Sequence, residues 1–189
     1  MSNKNILNSF DESIQVISDS KKLIDEIQSV TDLIINCFSN GNKVVIFGNG
    51  GSAADSQHFA AEFIGRFLLE RKSLPAISLT TDSSILTAIG NDYSFNDIFS
   101  RQCESLVKEN DIVIGISTSG KSKNVINGLI ESKKNNAQTV GILGCNGGDI
   151  KNLVDYPLVV PSNNTPRIQE SHKVILHIIC ELVEKHFAS

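Results

Sequence analysis

From residue 43 onward, short β-rich runs alternate with helical stretches, and this alternation is what most limits the folds open to the chain. The runs are KVVIFG (43–48), PAISLT (75–80), DIVIGIS (111–117), TVGILG (139–144) and YPLVVP (156–161). Between and after them the spacing predicts helices over 52–70, 83–107 with breaks, 122–136, a short one near 149–154, and 166–187. Strands that are almost continuously apolar, separated by helices, predict a parallel sheet covered on both faces. The expectation is an α/β fold: a doubly wound, five-stranded parallel sheet in one domain spanning 1–189, with ligands at the carboxyl ends of the strands.

Ahead of this α/β core (43–189) stands a helical leader (1–40). Phe10, Ile14, Ile17, Ile24, Ile27, Ile34 and Phe38 recur at helical steps, so 6–38 is predicted helical. Its apolar stripe must pack on the domain that follows or on a partner chain.

Three loops fall at the carboxyl ends of predicted strands: GNGGSAADS after the first, TTDSS after the second, STSGKS after the third. Each leads into a helix, where backbone N–H groups and hydroxyls bind an anion well. The same residue types also serve as ordinary helix caps. The stretch GISTSGKS (115–122) even fits the phosphate-loop pattern of nucleotide hydrolases. Its context does not. The loop follows the third strand, and TVGILG is followed by Cys145 rather than by an acid that could hold Mg²⁺.

Charge and composition narrow the partners. A net charge of -4 gives no bulk attraction to nucleic acid or an anionic membrane. No apolar run approaches the ~20 residues of a membrane span. The polar N-terminus reads as neither signal nor transit peptide. Four scattered cysteines without a C-x-x-C pair read as reduced packing thiols of a cytoplasmic protein.

Four segments together carry a family resemblance: VVIFGNGGSAADSQHFAAEFIGRF (44–67), AIGNDYSFNDIFSRQ (88–102), GISTSGKSKNVINGL (115–129) and TPRIQESHKVILHIICELVE (165–184). In this order they resemble the phosphoheptose isomerases of the sugar isomerase (SIS) superfamily, whose fold is flavodoxin-like. That resemblance implies conversion of sedoheptulose 7-phosphate to D-glycero-D-manno-heptose 7-phosphate, the entry step to ADP-heptose and the lipopolysaccharide core. It implies substrate binding by Asn49, Gly50, Gly51, Ser52, Asn91, Asp92 and Gln169, and a phosphate cradle of Ser117, Thr118, Ser119 and Ser122. It further implies one Zn²⁺ per subunit on His58, Glu62, Gln169 and His177, and a homotetramer with sites between subunits. Thr165 and Pro166 stand where some family members carry an acid.

The residues agree with that chemistry. His58 and Glu62, four apart, share a helix face. Gln169 and His177 are eight apart, about two turns. His172 and His186 fall on the apolar stripe of the last helix with Ile168, Ile175, Ile179 and Leu182 and read as packing or partner contacts, whereas His177 lies off it. Ketose–aldose interconversion through an enediol needs a base for the C–H proton and an acid/base near the oxygens. Glu62 is the expected base and also binds substrate; His177 is its partner. Arg66 could pair with Glu62 or meet the phosphate, and Arg167 is similarly open. A second superfamily member resembles the stretch 73–92: a non-catalytic adaptor that binds the replication initiator DnaA. It lacks a carboxylate and a histidine at the positions of Glu62 and His177, so isomerase is the first reading and adaptor the alternative.

Overall fold

A computed structural model describes residues 3–188; Met1, Ser2 and Ser189, at the ends of the predicted leader and core, lie outside it. The elements run α1 (Asn3–Asp19), α2 (Ile24–Ser39), β1 (Val44–Gly48), α3 (Gly51–Ile64), β2 (Ala76–Ser78), α4 (Ser83–Asp92), α5 (Ser100–Leu106), β3 (Ile112–Ser117), α6 (Lys123–Lys134), β4 (Gln138–Leu143), β5 (Tyr156–Val159) and α7 (Thr165–Phe187). All five strands pair in parallel, in the order β2-β1-β3-β4-β5. The direction of winding reverses between β1 and β3, which opens a crevice at their carboxyl ends.

Alternation along each strand feeds two apolar layers. Val44 and Ile46 point toward α2, α3 and α7, packing with Ile34, Phe59, Phe63, Ile168, Ile175 and Ile179. Val45 and Phe47 point the other way, toward α5 and α6, with Phe99, Val125 and Leu129. The Phe47 and Phe99 rings stack with centroids 4.7 Å apart. Three thiols are buried in these layers, as their scattered spacing predicted. Burial pushes Cys37 and Cys103 up to about 12, which leaves them inert. No helix of the described residues is long and apolar enough to cross a membrane.

Four expectations need correction. The leader is not one helix: a 3-10 turn, Ser20–Leu23, separates α1 from α2. The buried Ser20 hydroxyl donates to the Val16 carbonyl, a back-bond that bends helices. The break divides the stripe, since Ile27, Ile34 and Phe38 are buried while Phe10, Ile14 and Ile24 remain exposed. The helix expected over 52–70 stops at Ile64, because Gly65 caps it and the next backbone N–H groups are taken by another helix. The second strand keeps only Ala76–Ser78 of its predicted six residues. Finally, His186 is exposed beside the Phe187 ring rather than packed, because the stripe leaves the core at the last turn of α7. His172, on the same stripe, is fully buried and its Nε2 meets the Leu143 carbonyl oxygen at 2.9 Å.

Candidate active site

Both loops at the winding reversal are built from the local conformation their sequences impose. After β1, Gly50 takes φ 56 and ψ -120, a backbone suited to glycine, and starts α3. Ser52 is buried in the first turn of α3. After β3 the chain turns at Gly120 (φ 65), where an added Cβ would lie 2.0 Å from the Gly147 carbonyl oxygen. Only glycine admits that approach between the β3 and β4 loops. The Ser117 hydroxyl accepts from the Gly120 N–H at 3.1 Å, and Ser119 Oγ accepts from the Lys121 N–H at 3.2 Å. Ser117 and Ser122 hydroxyls lie 3.1 Å apart. Ser122 caps α6 by position without making a side-chain capping bond, which leaves its hydroxyl with Ser117 at that helix start. Thr118 is half-buried in the same turn, and Lys121 points into solvent.

A residue not singled out from the sequence ties the loops together. Asn124, 2% exposed, pairs its amide with that of Asn49 through two reciprocal bonds of 2.8 Å. This clamps β1's loop to the start of α6 across the crevice. An Asn in the first turn of a helix was the available signal, and it reads equally as a cap.

The residues expected to act as acid and base depend on two helices lying side by side. Along α3 and α7 the contacts advance in step. Gln169 packs over Gly51, where an added Cβ would lie 2.7 Å from Gln169 Nε2. Lys173 pairs with Asp55 at 2.6 Å. One to two turns further, His177 Nε2 meets His58 Nε2 at 3.0 Å. His58 Nε2 lies 3.2 Å from Glu62 Oε1. The side chains of His58 and Glu62 are 43% and 18% exposed, so the pair faces a reachable surface. Asp55 and Lys173 fall on the same helix faces as the predicted residues, which could have marked them.

Burial lowers the His177 pKa, and the neighbouring His58 and Lys173 lower it further, against the pull of Glu62 and Asp55. The His177 imidazole is therefore held toward its neutral form. A contact between two Nε2 atoms then requires one N–H donor and one acceptor.

Three of the four proposed ligands thus converge. Gln169 does not join them: it lies by Gly51, and the Lys173–Asp55 pair stands between. Among the described residues, no three His, Cys, Asp or Glu side chains form a metal-holding group. By donor type the set still fits zinc, with two imidazoles, a carboxylate and an amide oxygen within the range of catalytic sites. Admitting an ion would mean opening the His58–His177 hydrogen bond.

Other predicted residues stand apart. Asn91 and Asp92 are exposed at the end of α4, where Asn91 donates to Asp92 at 2.8 Å. Among the described residues, they make no hydrogen bond to the loops or the His–Glu cluster. Arg66 reaches Glu70 at 3.7 Å on an exposed face, not Glu62. Arg167 ties α7 to the leader, donating to the Ser9 carbonyl and the Ser13 hydroxyl and pairing with Glu170 at 3.2 Å.

Residues 8–144 match the SIS domain family. Among curated proteins, a phosphoheptose isomerase of Geobacter sulfurreducens is 55% identical over 165 residues, 87% of each chain. One of Clostridium acetobutylicum is 50% identical over 180 residues, covering 95% of this chain and 91% of its own. The solved structure of phosphoheptose isomerase GmhA from Neisseria gonorrhoeae superposes with a TM-score of 0.92 at 39% identity, covering 96% of this chain and 98% of that one. A phosphoheptose isomerase from Francisella tularensis gives 0.93 at 35% identity, covering 98% and 100%.

Proposed function

The chain belongs to the SIS-domain phosphoheptose isomerases, and on that premise we propose that it interconverts sedoheptulose 7-phosphate and D-glycero-D-manno-heptose 7-phosphate through an enediol. The observation that carries this reading is the meeting of Glu62 and His177 around His58, with a hydroxyl-lined helix start at the reversal of the same sheet.

The phosphate sits on Ser117, Thr118, Ser119, Ser122 and the backbone N–H groups opening α6. Asn49 to Ser52 hold the sugar beside them, with Gln169, Asn91 and Asp92 completing the contacts. Glu62 takes a proton from C1 of the ketose and returns it to C2. His177, neutral in the free site, donates a proton to O2 and then accepts the one from O1. The net result is an aldehyde at C1 and a hydroxyl at C2, with every proton accounted for. Zn²⁺, one per subunit on His58, Glu62, Gln169 and His177, would polarise the carbonyl when bound. With the ion bound, Glu62 would serve as a ligand and would have to leave it to act as base.

The assembly proposed is a homotetramer in the cytoplasm with its sites between subunits. What supports it is α1, which buries no residue and leaves Ile6, Leu7, Phe10 and Ile14 each at least 60% exposed. The likeness of the stretch 73–92 to the adaptor is outweighed, since both residues the adaptor lacks are present here.

The test is to incubate the purified protein, with and without Zn²⁺, with sedoheptulose 7-phosphate and follow the aldose product. Turnover that Glu62→Gln and His177→Gln sharply lower is expected. No turnover by the parent, together with binding to DnaA, overturns the reading in favour of the adaptor.

A further inference from the structure

We propose that the buried Arg71–Glu184 pair is a positioning clamp for the acid–base site, one that fixes both Glu62 and His177 without touching the substrate. The proposal rests on the isomerase reading for its kinetic arm only.

Glu184 lies two turns beyond His177 on α7, with a side chain only 1% exposed. Its carboxylate accepts from three successive backbone N–H groups, those of Phe67 at 2.7 Å, Leu68 at 2.6 Å and Leu69 at 2.8 Å. A loop of exposed apolar residues, with Leu68 62% and Leu69 43% exposed, thus has its backbone fastened to α7 by one side chain.

Arg71, with a side chain 0% exposed, closes the other half. Its Nη2 donates to the Glu62 carbonyl at 2.6 Å. Its Nη1 donates to the carbonyls of Phe63 at 2.8 Å, Gly65 at 3.2 Å and Lys72 at 3.1 Å. The carbonyls of Glu62, Phe63 and Gly65 belong to the end of α3, where the helix leaves them without helical partners, and that of Lys72 lies in the loop beyond. Arg71 Nε lies 3.4 Å from Glu184 Oε1 as a charge contact, without the alignment of a hydrogen bond.

The consequence reaches the site by two routes. The guanidinium caps the turn of α3 that carries Glu62, by a bond to Glu62's own carbonyl. The three N–H bonds hold Phe67 so that its ring lies 5.5 Å from the His177 ring, which also lies 5.2 Å from the His58 ring. Two rings thus bear on His177, and the placement of one is set by Glu184. A buried ion pair is weak evidence for stability, since apolar replacements of like volume often do as well. What apolar replacements cannot supply is acceptance of three backbone N–H groups or donation to the three carbonyls at the end of α3, and a small displacement of an acid–base group can cost ~100-fold in rate.

The experiment compares Glu184→Gln and Phe67→Ala with the parent by steady-state kinetics, thermal unfolding and NMR of the histidine ring protons, with His177 assigned from the loss of its signal in His177→Gln. Folded Glu184→Gln is expected to lose kcat by about 10-fold or more with KM changed less than about threefold. Its His177 ring signal should move toward the position it takes in Phe67→Ala. A folded Glu184→Gln with parental kcat, or a His177 signal that moves in Phe67→Ala but not in Glu184→Gln, overturns the proposal. Should Glu184→Gln fail to fold, Phe67→Ala decides with the ion pair intact, and an unchanged kcat there overturns it. If the parent turns over no heptose phosphate, the isomerase reading falls while the NMR comparison still judges the clamp.

Discussion

The β3 loop and the His–Glu cluster are put together in opposite ways. At the phosphate end, Ser117 and Ser119 are satisfied by N–H groups of their own loop, within three residues. At the acid–base end, His58 meets His177 across two helices 119 positions apart in sequence. One end is shaped by its local backbone and the other by the register of α3 against α7. A locally built cradle tolerates change elsewhere in the fold, whereas a site built from register feels every residue that sets it. The chemistry divides the same way, with binding assigned to the first end and proton transfer to the second.

Variants can break that division, and the largest effects belong to the acid–base end. Glu62→Gln, which keeps the shape and removes the base, should lower kcat by about 10³-fold. His177→Gln should lower it by about 10²-fold, with KM almost unchanged in both. Steady-state kinetics on sedoheptulose 7-phosphate checks each; an equal rise in KM would mean these groups serve binding. At the other end, Ser122→Ala should raise KM by about 10-fold, the scale of one hydrogen bond to a charged group, and leave kcat near parental.

Acid should loosen only the end set by register. Burial alone would raise the Glu184 pKa, but the N–H groups of Leu68, Phe67 and Leu69 and the charge of Arg71 lower it below the ordinary 4.5. A depressed carboxylate stabilises the fold fully above its unfolded value and loses that contribution as pH falls through its folded value. The parent Tm should therefore fall below about pH 4.5 more steeply than that of Glu184→Gln. Smallest of all, Lys121→Ala should change KM by less than about twofold, because an exposed ammonium on a mobile stem adds little. This residue gave the loop its likeness to a nucleotide site, and a loss of ATP binding in that variant would restore the discarded reading.

What was legible in the sequence follows the same line. Short, almost continuously apolar runs between helical patterns placed all five strands, and the i, i+4 spacing put His58 and Glu62 on one face. The pattern failed where a distant group decides. Gly65 alone does not announce that the chain stops being helical; the carboxylate of Glu184 takes over the N–H groups that follow. The leader's stripe reads the same on both sides of Ser20, yet α2 buries its residues and α1 does not. Asn91, Asp92 and Gln169 come from the family resemblance. The single chain leaves the first two on an exposed helix end and the third over Gly51, apart from the His–Glu cluster.

The leader also bears on how the protein responds to dilution. A helix of 17 residues with nothing buried is marginal by itself in water. In the proposed homotetramer its persistence would be tied by mass action to the partner surface that covers Phe10 and Ile14, while the sheet's would not. Amide exchange in α1 should therefore quicken as the protein is diluted, at concentrations where β1 and β3 still exchange only by global opening.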